Sequence, residues 1–191
     1  MPVKIYSKRI GINRCYVIKA DGCIMVDTGP PKSGKVIEKW LGEILLDPQK
    51  IRLTVLTHGH ADHVGSALRV KNFTGARIAL HEEDTYMIEN SQTVWPAAAS
   101  TWDHIARYLF RPLASVLRFD SFKTDVIIGD EGLSLEEYGI QGKVISTPGH
   151  TPGSVSVLLE TGDAFEGCMP ITSFRSDLGR NFLSSRRIYP D

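Results

Sequence analysis

Residues 56–63 read Leu56-Thr57-His58-Gly59-His60-Ala61-Asp62-His63 and place three of the chain's six histidines and one aspartate within six positions. They follow an apolar stretch, 53–56, with the length and branching of a buried strand. Imidazole nitrogens and a carboxylate oxygen suit zinc, iron or manganese, and a loop leaving a strand can turn all four side chains toward a pair of ions. The chain therefore has to fold so that a strand end opens onto a metal-sized polar site.

Composition narrows the frame. With 191 residues, 42% hydrophobic and 23% charged, the chain can bury one core and is expected to form a single domain over 1–191. Lys plus Arg and Asp plus Glu both total 22, so no field of one sign recruits nucleic acid or an acidic membrane, and a nuclease is disfavoured. No apolar run approaches a membrane span, and Met1-Pro2-Val3-Lys4 leads into strand-like sequence without a signal-peptide core, so a cytoplasmic location is expected. Cys15, Cys23 and Cys168 are few and widely spaced, which argues for buried thiols or ligands over a disulfide framework.

Strand and helix patterns alternate through the first half. Residues 13–19 and 23–26 read as strands around the turn Ala20-Asp21-Gly22. Val36, Ile37, Trp40, Leu41, Ile44 and Leu45 have helical spacing and are expected to pack on one face. Val64, Leu68, Val70 and Phe73 continue from the motif as an amphipathic helix ending near Gly75, and 77–80 supplies the next strand. Residues 85–121 carry Trp95, Trp102, Tyr108, Phe110 and Phe119 broken by Pro96 and Pro112. This helical insertion is either ordinary core or a lid that lines a substrate pocket or a dimer face. Strands are expected again at 126–128, 132–135, 143–146, 154–159 and 164–166, the last two joined by a hairpin turn at 160–163. The tail from Phe174 to Asp191 is polar and carries no long helical stripe.

The motif, with Val26-Asp27-Thr28-Gly29 before it and Thr147-Pro148-Gly149-His150-Thr151-Pro152-Gly153-Ser154 after it, resembles the metallo-β-lactamase-fold hydrolase superfamily over about residues 10–170. The resemblance implies an α/β protein, a four-layer αββα sandwich, here expected to lack the last helix and strand. It implies that His58, His60 and His150 hold a first metal, and that Asp62 and His63 contribute to a second. Asp62 would also orient a water or take its proton. Asp27 is either a turn-initiating residue or an acceptor that orients a ligand; the resemblance favours the second role. His81 and His104 are assigned to a helix start and to a solvated or lid face.

Two features depart from that pattern. The carboxylate that bridges the metals in such proteins has two competitors here, Asp163 in a hairpin turn and Cys168 after the following strand. Strand ends face the metals in this architecture, which favours Cys168 as a thiolate ligand over Asp163, although a buried, unligated cysteine is an equal alternative. No histidine follows His150, so the terminal ligand of the second metal is absent. A shortened chain, a partner subunit that completes the site, or a single ion would each account for it, and the exposed surface left by a missing element points to a homodimer.

The function expected is hydrolysis of an ester, thioester or lactone-type bond, with one or two zinc ions, or iron or manganese, and a small-molecule substrate that has an apolar part. An iron-dependent persulfide oxidoreductase and a catalytically silent metal-binding protein are the alternatives.

Overall fold

The computed structural model describes residues 2–91 and 118–167, and the backbone of 187–189. Cys168 and His104 lie outside the described residues, as does most of the expected helical insertion. Two sheets are stacked face to face. The first has the order β1 (Lys4–Ile10), β2 (Asn13–Lys19), β3 (Cys23–Val26), β4 (Leu53–Val55), β5 (Arg77–His81) and β6 (Val126–Ile128). Its first three strands pair antiparallel, and β3 through β6 run parallel. The second contains β7 (Leu133–Ser134), β8 (Gly142–Ser146), β9 (Val155–Leu159) and β10 (Asp163–Glu166), all antiparallel, with β11 (Arg187–Tyr189) parallel to β10 at its edge.

Period-two alternation decides which layer each strand residue enters. Tyr16 and Ile18 of β2, Ile24 and Val26 of β3, and Leu53 and Val55 of β4 face the second sheet, where they meet Val155, Val157, Leu159 and Phe165. The Tyr16 and Phe165 rings cross that layer edge to face, with centroids 4.9 Å apart. Cys15, Val17, Cys23 and Met25 face the other way, onto α1 (Gly34–Glu43) and α3 (Ala67–Thr74). Ile78 and Leu80 of β5 pack under α2 (Ala61–Val64) and close to α4 (Thr85–Glu89). Both faces of the parallel strands are thus buried, which is why they read as continuous apolar runs. No helix among the described residues is long and apolar enough to cross a membrane.

Four expectations change. The helical face on α1 is Ile37, Trp40 and Leu41, while Val36 is half exposed and Leu45 is 92% exposed. Leu45 sits beyond the end of α1 at φ +53°, out of register with the helix. The single helix foreseen from Val64 to Phe73 is two short ones separated at Gly65 and Ser66, and α3 stops where Gly75, at φ +73°, returns its N–H to the Lys71 carbonyl. Asp163 is not an exposed turn residue: it opens β10, is buried, and accepts from the Thr161 hydroxyl at 2.6 Å. The tail supplies a strand, β11, whose three residues carry no periodic signal.

Candidate metal centre

The carboxyl ends of the parallel strands β3, β4 and β5 open on one edge of the sandwich, the position where strand-to-helix loops collect functional side chains in α/β sheets. Asp27 leaves β3, residues 56–60 leave β4, and residues 82–84 leave β5. The β8–β9 connection, which carries His150, joins them because the Val155 N–H donates to the Thr57 carbonyl at 2.8 Å.

His58, His60 and His150 converge there, with one ligand nitrogen from each lying within 4.8 Å of the others. His60 Nδ1 and His150 Nε2 are 2.9 Å apart. Nitrogens that share one tetrahedral zinc lie about 3.3 Å apart, so this pair is already at ligand spacing. His58 Nε2 is buried and makes no hydrogen bond. A buried acceptor without a partner is costly, and an ion at the centre of the three rings removes that cost. The donor set therefore fits a metal, and an imidazole trio is the kind that suits zinc.

The tautomers follow from one buried carboxylate. Asp27 Oδ1 accepts from the Thr57 N–H at 2.8 Å, and its Oδ2 accepts from the Thr57 hydroxyl at 2.8 Å. Oδ2 also lies 2.9 Å from His63 Nδ1. A carboxylate only accepts, so His63 carries its proton on Nδ1. The Thr57 hydroxyl has spent its hydrogen on Asp27, so its oxygen is left to accept from His58 Nδ1, 3.2 Å away. Both rings then present Nε2 without a proton, the form a metal takes. Asp27 holds φ +58°, a left-handed conformation that aspartate tolerates better than most residues.

Asp62 and His63 form a two-donor pair beside the trio, with His63 Nε2 3.9 Å from Asp62 Oδ2. α2 starts at Ala61 with His60 as its N-cap, and the His63 ring returns against that of His58, with centroids 4.0 Å apart. Asn13 donates to Asp62 Oδ2 at 2.9 Å, and the Thr28 hydroxyl donates to the His63 carbonyl at 2.8 Å. His81 stays apart: it caps the turn 82–84 by accepting from the Glu83 N–H and lies 3.5 Å from the exposed Asp130. Gly167, at the end of β10, sits so close that a Cβ there would meet Thr57 Oγ1 and His58 Nδ1. Asn13 and Thr57 were not foreseen as site residues, because each sits in a strand or strand end where sequence shows only the pleat.

Burial lowers the pKa of His58 far below the ordinary histidine value, and the neighbouring His63, His60 and His150 lower it further. His150 is lowered by burial first, then by His60 and His63. Histidines with depressed folded pKa values bind fewer protons than the unfolded chain below about pH 6.5, so stability rises with pH through that window. The metal-free protein is expected to lose stability as the pH falls from 7 toward 5, read from urea midpoints, and His150→Ala should flatten that dependence.

The sequence model of the metallo-beta-lactamase superfamily matches residues 9–164. The chain belongs to that superfamily. Among curated relatives, hydroxyacylglutathione hydrolase GloC of Haemophilus influenzae is 28% identical over 145 residues, covering 72% of this chain and 61% of its own length. The uncharacterized protein Rv2581c of Mycobacterium tuberculosis is 27% identical over 186 residues, covering 90% of this chain and 76% of its own. Among solved structures, a metallo-beta-lactamase of Cronobacter sakazakii superposes with a TM-score of 0.64 at 20% identity, covering 82% of this chain and 53% of that one. The subclass B3 metallo-beta-lactamase BJP-1 of Bradyrhizobium japonicum gives a TM-score of 0.59 at 25% identity, covering 80% and 55%. The chain thus spans about three fifths of GloC and little more than half of either enzyme of known structure. The metallo-beta-lactamase fold of these enzymes is the one described above.

Proposed function

We propose that the chain is a zinc-dependent hydrolase of ester, thioester or lactone-type bonds. The observation that carries this reading is the convergence of one imidazole nitrogen each from His58, His60 and His150, together with a buried His58 Nε2 that has no hydrogen-bond partner. His58, His60 and His150 would hold the first ion, and Asp62 and His63 would contribute to a second, with the Cys168 thiolate as a candidate further donor. Zinc bound there supplies Lewis acidity toward the scissile carbonyl and acidifies water.

The chain's own residues do the rest. Asp62 is the general base when a single ion is bound: the Asn13 amide donates to its Oδ2 at 2.9 Å and fixes the carboxylate, which orients the attacking water and takes its proton. Asp27 keeps His58 and His63 in one tautomer through Thr57 and by direct contact. The name of the Haemophilus relative makes an acylated glutathione, a thioester, the first substrate to assay.

The test is metal removal. Exhaustive dialysis against a chelator is expected to abolish turnover of an acyl thioester, and stoichiometric zinc to restore it. Turnover that survives complete demetallation sinks this reading.

A further inference from the structure

His150 reaches the His58–His60 pair from the other sheet, 90 residues away in the chain, and one residue outside the motifs ties the two loops together. Asp84 is completely buried at the end of the turn 82–84. It occupies the N-cap position of α4, where an aspartate ordinarily accepts from its own helix, yet it makes no such bond. Its carboxylate is spent on the neighbouring loops. Oδ2 accepts from the Gly59 N–H at 2.7 Å and from the Thr151 hydroxyl at 2.8 Å, and Oδ1 accepts from the Gly153 N–H at 3.0 Å. One arm therefore grips the residue between His58 and His60, and two arms grip the residues that follow His150. Gly153 has to lack a side chain for this contact, since a Cβ there would lie 2.6 Å from the Asp84 carboxyl carbon.

We propose that Asp84 is the positioning residue of the metal centre: it clamps the 147–154 loop onto the 58–60 loop and so sets the affinity for the ion. The idea rests on the metal reading above. Three charge-assisted bonds from one carboxylate fix two loops at once. The alternative tie is the Val155–Thr57 backbone bond, which holds the base of the loop but not the turn beyond His150. The acidic stretch Glu82-Glu83-Asp84 gives no sequence sign of the role, because capping a helix start needs the same residues.

The test compares the full chain with Asp84→Asn and Thr151→Val. Asparagine keeps a carbonyl for the Gly59 and Thr151 donors but turns an amide N–H₂ toward the Gly153 N–H. Valine removes the hydroxyl arm at nearly constant volume. Zinc affinity is read by competition with a chromophoric chelator, and hydrogen exchange of the Gly59 and Gly153 amides is read by NMR without metal. Asp84→Asn is expected to weaken zinc binding 10- to 100-fold and Thr151→Val roughly 5-fold. Exchange at Gly153 should accelerate while the strand amides of β3 and β4 are unchanged. A folded Asp84→Asn protein whose zinc Kd stays within about 3-fold of wild type overturns the proposal, and the Val155 tie then suffices. Should Asp84→Asn fail to fold, an unchanged zinc Kd in Thr151→Val overturns it. Absence of zinc binding by the wild type sinks the metal reading, not the clamp, which then fails if both variants keep Gly59 and Gly153 as protected as in the wild type.

Discussion

His58→Ala is expected to leave a folded protein that neither binds zinc at this centre nor turns over a thioester above background. His58 supplies the buried nitrogen with no protein partner, so its removal deletes one ligand and leaves His60 and His150 to pair with each other at 2.9 Å. A lost Lewis acid forfeits several kcal/mol of transition-state stabilisation, or roughly a 10³-fold fall in kcat/KM. Stability separates this from simple unfolding. Zinc at a hundred times its Kd stabilises a protein that binds only in the folded state by about 2.7 kcal/mol. Wild type should show that shift in its denaturation midpoint and His58→Ala none, while the metal-free forms of both unfold cooperatively.

Asp27 carries the second large effect. Asp27→Ala leaves three donors buried without an acceptor, the Thr57 N–H, the Thr57 hydroxyl and His63 Nδ1–H. It also places alanine at φ +58°. Each buried unpaired donor costs about 1–3 kcal/mol, and the left-handed backbone adds about 1–2. A loss of at least about 4 kcal/mol is expected from urea unfolding, together with zinc binding weakened at least roughly 10-fold. Asp27→Asn separates the two contributions. Asparagine accepts the left-handed conformation but cannot accept on both sides, so it should retain more of the stability and still disturb zinc affinity. Zinc affinity equal to wild type in Asp27→Asn would remove the tautomer argument.

The strands could be read from the sequence because their chemistry is local. Residues 13–19 and 23–26 alternate around a turn, and β2 and β3 begin and end there. His58 and His60 were readable from their spacing and His150 from the resemblance that Thr147 to Ser154 carries, and the structure brings one nitrogen of each together. Asp27 was open between turn and site until its contacts with Thr57 and His63 were seen. What sequence hides is the long-range contact. Asn13 looks like the first residue of a strand and Asp84 like a helix cap; each reaches its partner only when the sheets stack. Asp163 reads as a turn residue by composition, yet it opens β10 and is buried. Leu45 fits a helical stripe but lies past the helix end, since periodicity does not announce where a helix stops.

Anomalous diffraction at the zinc edge, from crystals of the zinc-loaded protein, reports the presence, place and ligands of the ion together. The expected result is a peak about 2.0–2.1 Å from His58 Nε2, His60 Nδ1 and His150 Nε2. No peak there, or zinc held by other residues with these three rings left aside, would contradict the account.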